Sequence, residues 1–305
     1  MRRKRQTEQS GKAMKILRAK TAGFCMGVSL ALRRLNESIS AFRASGAEQT
    51  DARLATLGPV IHNPRVIANY EQQGVVCLSK VEEARKGDVV LIRAHGVPKE
   101  VEHALLARGA TVIDATCPKV KKAQLAIATE RKRGRGTLLL YGEADHPEVK
   151  GLVSYADNEA HVFVDSAGFD AVLLDPNSGY FLAAQTTQDL LGFEDICARA
   201  TKRLGHDVPM LHTICDATRA RQAEVLKIAR QVDVVIVVGG ANSGNTRRLA
   251  EVAEAQGARA LRIEDAAELS PAQFVGVGVV GLTAGASTPA IHIDAVAAWL
   301  RSLEM

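Results

Sequence analysis

The stretch Asp114-Ala115-Thr116-Cys117-Pro118 is the middle one of three similar stretches in this chain of 305 residues. Cys25 lies in Thr21-Ala22-Gly23-Phe24-Cys25-Met26-Gly27, and Cys215 lies in Leu211-His212-Thr213-Ile214-Cys215-Asp216-Ala217. Each cysteine follows a short apolar run and precedes a helix-like segment, which predicts a strand end leading into a helix. The intervals from one cysteine to the next, 92 and 98 residues, are about the length of a small domain. The sequence therefore predicts three similar α/β units, each presenting one thiol.

The rest of the chain is organised around these cysteines. Apolar runs predict strands over 53–57, 74–78, 88–93, 111–116, 137–141, 180–184, 234–238 and 274–281. After Cys25, apolar residues recur at steps of four and three from Val28 to Phe42, which predicts a helix with one buried face. We predict a disordered basic tail over 1–13 and an N-terminal strand over 14–25, which includes Cys25 as the first candidate cluster ligand. Three α/β domains are predicted over 26–116, 117–213 and 214–305. Together they predict a three-lobed α/β protein around one central cavity.

Composition narrows the class of protein. With 47% hydrophobic and 24% charged residues, the chain is typical of globular proteins. The net charge of +5 is modest, and arginines do not alternate with aromatic residues, which argues against binding of nucleic acid. No apolar run is long enough to span a lipid bilayer. Five widely spaced cysteines and no apolar signal core before Met14 favour the cytoplasm. Met14 is also a candidate start of the chain.

The three cysteines can be metal ligands or ordinary buried thiols. A helix N-terminus stabilises a thiolate, which is the form that binds metal, whereas burial alone gives no reason for the same position three times. Three cysteines suit an iron–sulfur cluster with one iron left open, while zinc with three cysteines and a histidine is the alternative. The absence of any Cys-x-x-Cys in the sequence favours the cluster. Cys77 and Cys197 lack the pattern and are expected to be structural.

Polar residues in loops after the predicted strands resemble an anion pocket. Parallel α/β sheets form sites at the carboxyl ends of their strands. The candidate donors to phosphate oxygens are His62, His95, His146, Ser243, Asn245 and Ser287. Glu148, two residues after His146, can hold and donate a proton if it is buried, although most glutamates are solvated. His103, His161, His206 and His292 lack such loops, and we expect no site role for them.

At these residues the sequence resembles the family of 4-hydroxy-3-methylbut-2-enyl diphosphate reductases, also called the LytB family. The matching motifs are Gly23-Phe24-Cys25-Met26-Gly27-Val28, Gly58-Pro59-Val60-Ile61-His62-Asn63-Pro64, Ala94-His95-Gly96-Val97, Asp114-Ala115-Thr116-Cys117-Pro118, His146-Pro147-Glu148-Val149, Gln185-Thr186-Thr187, Ile214-Cys215, Ala217-Thr218, Arg221-Gln222, Asn242-Ser243, Asn245 and Thr283-Ala284-Gly285-Ala286-Ser287. They run in order from Met14 to about Leu300. Together they are highly specific.

The resemblance implies a pseudo-threefold trefoil of three α/β domains around a [4Fe–4S] cluster bound by Cys25, Cys117 and Cys215. It implies two-electron removal of the substrate's hydroxyl as water, giving isopentenyl and dimethylallyl diphosphates in the non-mevalonate pathway. The implied diphosphate ligands are His62, His95, His146, Ser243, Gly244, Asn245 and Ser287. Glu148 would lead the proton relay, with Thr186 and His146 beside the substrate. A ferredoxin or flavodoxin would supply the electrons, and the mildly basic surface would attract an acidic carrier.

Two positions depart from the family pattern, and other functions stay open. Gly244 lies where the family often has a second serine, so this position can contact the diphosphate only through its backbone. Asp216 places a carboxylate beside Cys215, where asparagine or tyrosine is more common. Residues 1–13 have no counterpart in the family. Within enzymes, the alternative is another three-cysteine cluster enzyme that uses the open iron as a Lewis acid, such as a quinolinate synthase-like dehydrating enzyme. Outside enzymes, it is an iron–sulfur sensor or a zinc-bound interaction protein.

Overall fold

A computed structural model of the chain describes residues 14–61 and 63–303. The predicted basic tail over 1–13 and the predicted site residue His62 lie outside the described residues. The chain divides into two compact units. One is Phe24–Ala220, and the other joins the segment that ends at Gly23 to the segment that begins at Arg221.

Eleven strands lie within the described residues. They are β1 (Lys15–Arg18), β2 (Leu54–Leu57), β3 (Val76–Leu78), β4 (Val89–Ile92), β5 (Thr111–Asp114), β6 (Thr137–Tyr141), β7 (Ala160–Phe163), β8 (Tyr180–Ala184), β9 (Val234–Val238), β10 (Arg259–Ile263) and β11 (Val279–Ala284). All of their pairings are parallel. They form three sheets, in the orders β3-β2-β4-β5, β7-β6-β8 and β1-β11-β9-β10.

Helices follow most of these strands, as parallel pairing requires a crossover connection. Over the same described residues the α-helices are α1 (Met26–Ala44), α2 (Pro64–Glu71), α3 (Lys99–Ala107), α4 (Pro118–Lys132), α5 (Pro147–Tyr155), α6 (Ser166–Asp170), α7 (Leu190–Leu204), α8 (Asp216–Ala229), α9 (Gly244–Glu254) and α10 (Ala290–Ser302). Together with the three parallel sheets they confirm the predicted α/β class.

The unit Phe24–Ala220 contains the first two sheets, and each is covered on both faces. On β3-β2-β4-β5, the predicted apolar stripe of α1 packs on the face that carries Leu54 and Leu91, and Leu105 of α3 packs on the opposite face. On β7-β6-β8, Phe193 of α7 lies on one face and Ile127 of α4 on the other. Burial of each such side chain contributes about 1.5–3 kcal/mol. The two-sided cover leaves the strand ends as the accessible edges.

The other unit contains the sheet β1-β11-β9-β10. The N-terminal strand β1 pairs with β11 over Lys15–Arg18 and so lies in the same sheet as the C-terminal strands. Ile293 of α10 packs on one face and Leu249 of α9 on the other. No helix within residues 14–61 and 63–303 combines the length and the apolar character that crossing a bilayer requires.

Two local predictions were wrong. The apolar run before Cys215 is no strand, because Met210 makes only an isolated bridge to Leu182, so Cys215 follows a loop. The run 274–281 is also not one strand, because Phe274 ends a 3-10 turn and Gly276 has a φ of +76°. The strand there is β11, which begins at Val279.

Candidate active site

All three cysteines of the predicted ligand set lie directly at helix N-termini of the unit Phe24–Ala220. Cys25 caps α1, and its Sγ accepts a hydrogen bond of 3.4 Å from the Val28 N–H. Cys117 precedes the first residue of α4, and Cys215 precedes the first residue of α8. A helix N-terminus carries partial positive charge, which favours a thiolate over a thiol.

The three thiols also influence one another. Burial raises the pKa of Cys117, the backbone N–H groups of Lys119 and Val120 lower it, and the neighbouring Cys25 and Cys215 raise it further. Helix α1 approaches so closely that a Cβ added at Gly27 would lie 2.4 Å from Cys117 Sγ. Thiolates that repel one another at a partly buried site favour a bound cation, because binding displaces their protons and cancels the repulsion.

This donor set fits an iron–sulfur cluster. Each thiol receives support from a helix N-terminus, and all five cysteines of the chain are free of disulfides. Across the described residues, no three His, Cys, Asp or Glu side chains are grouped closely enough to hold a single metal ion. A four-iron cluster is larger than one ion and takes ligands that lie further apart.

Two backbone hydrogen bonds tie the thiols to loops that carry predicted site residues. The Cys117 N–H donates to the carbonyl of Ala94, the residue before His95, at 2.9 Å. The Cys215 N–H donates to the carbonyl of Thr186 at 3.0 Å. The positions of His95 and Thr186 are therefore coupled to those of the two cysteines.

Glu148 is buried in this region, with 2% of its surface exposed. Its Oε1 accepts a hydrogen bond of 2.7 Å from the Thr186 N–H, and its Oε2 accepts one of 3.0 Å from the Thr186 hydroxyl. Burial raises the pKa of Glu148 to about 7, although the two hydrogen bonds from Thr186 lower it. A carboxyl group with such a pKa exchanges protons readily near neutrality.

His146 and His95 lie beside Glu148 in the same unit. His146 caps α5, and its Nδ1 accepts a hydrogen bond of 3.1 Å from the Glu148 N–H. Since Nδ1 is an acceptor, the neutral ring carries its proton on Nε2, which is then a donor. The His95 ring meets the His146 ring edge to face, with centroids 5.4 Å apart. His95, His146, Glu148 and Thr186 thus form one connected group.

Ser243, Asn245 and Ser287 belong to the other unit, where each is buried. Ser243 caps α9, and its Oγ accepts a hydrogen bond of 3.3 Å from the Thr246 N–H. The Asn245 side-chain amide nitrogen is buried and has no hydrogen-bond partner among the described residues. A helix N-terminus with buried donors suits an anion. Gly244, the first residue of α9, can offer only backbone groups there.

Sequence reasoning missed an ion pair beside the thiols. Lys119 Nζ lies 2.7 Å from Asp216 Oδ2 and joins the first turn of α4 to that of α8. The hydrogen bond and charge of Lys119 lower the pKa of Asp216. The unusual carboxylate next to Cys215 is therefore balanced by a cation. No short-range pattern predicts this pair, because the two residues are 97 positions apart.

Arg93, after β4, is a second residue to which the sequence assigned no role. Its guanidinium lies against Gly58, and its buried Nε has no hydrogen-bond partner in the described part of the chain. Burial lowers the pKa of Arg93 from its ordinary value. Its position directly after β4, two residues before His95, is the feature of the sequence that could have singled it out.

These features define a parallel α/β protein in which three thiols at helix N-termini lie in the same unit as a buried carboxyl group. The family model described as LytB protein matches residues 16–301. A relative from Nitratidesulfovibrio vulgaris named 4-hydroxy-3-methylbut-2-enyl diphosphate reductase is 56% identical over 95% of this chain and 100% of its own length. The chain belongs to the LytB protein family.

Solved structures agree with this assignment. One entitled (E)-4-hydroxy-3-methyl-but-2-enyl diphosphate reductase, the terminal enzyme of the non-mevalonate pathway, is 37% identical, with a TM-score of 0.62 over 95% of this chain and 99% of that one. The E-1-hydroxy-2-methyl-but-2-enyl-4-diphosphate reductase from Plasmodium falciparum has a TM-score of 0.84 over 92% of this chain and 86% of that one. At 24% identity, this second structure supports the fold alone.

Proposed function

We propose that this chain reduces 4-hydroxy-3-methylbut-2-enyl diphosphate to isopentenyl and dimethylallyl diphosphates, the last step of the non-mevalonate pathway. The allylic C–O bond breaks, two electrons reduce the allyl group, one proton converts the departing hydroxyl group to water, and a second proton forms the new C–H bond. The names of the relatives support the reaction. The observation that carries it is the buried Glu148, hydrogen-bonded to Thr186, whose carbonyl accepts the N–H of Cys215.

We assign Cys25, Cys117 and Cys215 as the ligands of a [4Fe–4S] cluster, one per chain. The cluster would supply the electrons and a Lewis-acidic iron with a free coordination position. The helix N-terminus at each thiol supports the thiolate form that this ligation needs. The free thiols also support a cytoplasmic location, where disulfides are rare.

The remaining predicted residues bind and orient the substrate. We assign the diphosphate to His62, His95, His146, Ser243, Asn245 and Ser287, with the backbone of Gly244. The inferred Nε2–H of His146 and the buried amide of Asn245 support this role, because both can donate to phosphate oxygens. Backbone N–H groups at the start of α9 would add to the attraction for the anion.

We place the catalytic proton on Glu148 Oε2. Its Oε1 faces the Thr186 N–H, which can only donate, so a proton there would leave two donors facing each other. Its Oε2 faces the Thr186 hydroxyl, which can donate or accept, so a proton on Oε2 is compatible with this contact. The proton can then pass from Oε2 to Thr186 Oγ1 and on to the substrate, while burial excludes competing water.

The test combines cofactor content with turnover. After anaerobic purification, the unaltered chain should hold about four irons and form both products from the allylic diphosphate with dithionite and methyl viologen. Cys25→Ser, Cys117→Ser and Cys215→Ser should each lose iron, sulfide and turnover, whereas Cys77→Ser, in β3, should keep all three. Full cluster content in any of the first three variants would overturn the ligand assignment. A complete cluster without turnover of this substrate would overturn the reaction.

A further inference from the structure

We infer that the exposed side chains around the first turns of α1, α4 and α8 form the docking surface for a small acidic electron-carrier protein. This surface, the thiol-side patch, consists of Phe24, Met26, Lys119, Lys122, Asp216 and Arg219. All six residues belong to the unit Phe24–Ala220. The inference rests on the proposed function, because only a reductase needs such a partner, and it specifies where that partner binds.

The thiol-side patch contains two exposed, large apolar side chains. Phe24 and Met26 flank Cys25, and they are 38% and 59% exposed, respectively. Each is the immediate neighbour in sequence of a proposed cluster ligand at the start of α1. Large apolar side chains at the centre of a polar rim are typical of protein interfaces.

The rim of the patch is basic. Lys119 Nζ and an Arg219 guanidinium nitrogen lie 2.7 and 3.9 Å from carboxylate oxygens of Asp216, the acidic residue of the patch, and Lys122 is exposed about one turn beyond Lys119 on α4. Three cations against one carboxylate leave a local charge of +2. The nearby Lys121 pairs with Asp114 at 3.0 Å, so that pair adds no net charge. A positive rim selects a negatively charged partner and speeds its encounter.

The patch also lies where electrons must enter. Cys25, Cys117 and Cys215 are each partly exposed at the same helix N-termini that carry the patch residues. A carrier seated there would lie next to the residues that are proposed to hold the cluster. A small patch that combines apolar and charged side chains fits the weak and small interfaces of electron-transfer complexes, which dissociate after each delivery.

Charge reversal tests the docking surface with a plant-type [2Fe–2S] ferredoxin as the acidic probe. In the holoenzyme, Lys122→Glu with Arg219→Glu should raise the Kd for oxidised ferredoxin and the KM for reduced ferredoxin at least about tenfold at low salt. The differences should shrink as added salt shortens the Debye length below about 10 Å. Turnover with dithionite and methyl viologen should stay unchanged, because small reductants need no docking surface.

The matched control is Lys132→Glu with Lys202→Glu, which changes the net charge equally at exposed positions outside the patch. Lys132 lies ten residues beyond Lys122 on α4, about 15 Å away along the helix. Equal Kd and KM values in both double variants would overturn the docking surface. Turnover of the substrate is a separate readout: its loss with every reductant contradicts the proposed function, while the Kd for oxidised ferredoxin still decides where the carrier docks.

Discussion

Among single residues, Glu148 is a buried carboxyl group whose surroundings suit proton transfer. A glutamate is almost never fully buried unless it is paired, and here the partner is a neutral threonine instead of a cation. Two hydrogen bonds from Thr186 stabilise the charged form, and burial opposes them more strongly, so the pKa rises to about 7. With this pKa, the carboxyl group can release and recover a proton near neutral pH.

Glu148→Gln should therefore abolish turnover and leave iron content and substrate binding intact. The amide keeps the size of the side chain and can still accept from the Thr186 N–H, but it has no acidic proton to transfer. In the unaltered enzyme, turnover with a small reductant should be highest below pH about 7 and fall as the pH rises through this value, because the protonated form is the donor. Turnover measured from pH 5.5 to 9 checks both expectations.

Asp145→Asn is the matched control for this substitution. It also converts a carboxylate to an amide, three residues before Glu148 in the loop that leads into α5, where the side chain is fully exposed. It should leave both the rate and the pH dependence unchanged. Normal turnover by Glu148→Gln would remove Glu148 from the proton relay, and a pH profile without the decline would place the proton on another group.

At the scale of elements, the predictions succeeded where a buried strand is a complete apolar run. The runs 137–141, 180–184 and 234–238 coincide with β6, β8 and β9, because a strand covered on both faces is apolar throughout. The strands predicted before Cys215 and from Phe274 were wrong, because residues that are buried by tertiary packing can form an apolar stretch without forming a strand. Hydrophobicity alone does not separate these two cases.

The site was predictable to the extent that its residues lie in short motifs. Five of its residues lie in motifs that resemble those of the LytB family: Cys25, Cys117, Cys215, His146 and Glu148. The Lys119–Asp216 pair and the close approach of Gly27 to Cys117 depend on how helices far apart in sequence meet. Such contacts are set by packing between elements that are far apart in the sequence, so no short motif predicts them.

That helix contact yields a prediction for Gly27→Ala. Inside a helix, alanine is about 1 kcal/mol more favourable than glycine, so propensity alone predicts a stabilised α1. Here the new methyl group would lie 2.4 Å from Cys117 Sγ and 3.0 Å from its Cβ, so the cysteine must move. The apoprotein should fold, while iron and sulfide content per chain should drop by more than half.

Ser29→Ala is the control for Gly27→Ala, because it improves helix propensity at an exposed position of the same helix. It should leave the cluster content unchanged. Iron and sulfide assays after anaerobic reconstitution, with circular dichroism to verify folding, distinguish the two effects. An unchanged cluster in Gly27→Ala would mean that Cys117 does not need its present side-chain position to be a ligand.

Across the whole molecule, the N-terminal strand forms backbone hydrogen bonds with a strand from the C-terminal part of the chain. Strand β1 pairs in parallel with β11, and Met14 and Ile16 pack against the core formed by β9, β11 and α10. Strand β11 leads into the loop that carries Ser287. The first strand therefore stabilises one of the loops assigned to the substrate, although it contributes no predicted ligand.

Two truncations separate the role of this strand from that of the residues before it. A chain that begins at Met14 should match the full chain in Tm, iron content and turnover, because the family match starts at residue 16. A chain that begins at Ala19 loses the β1–β11 hydrogen bonds and the apolar side chains Met14 and Ile16. Both side chains are partly buried, so each contributes less than the roughly 1.5–3 kcal/mol of a fully buried one, and this chain should melt a few degrees lower and bind substrate more weakly. Equal Tm and KM values for the two truncated chains would show that β1 adds nothing to the stability of its sheet.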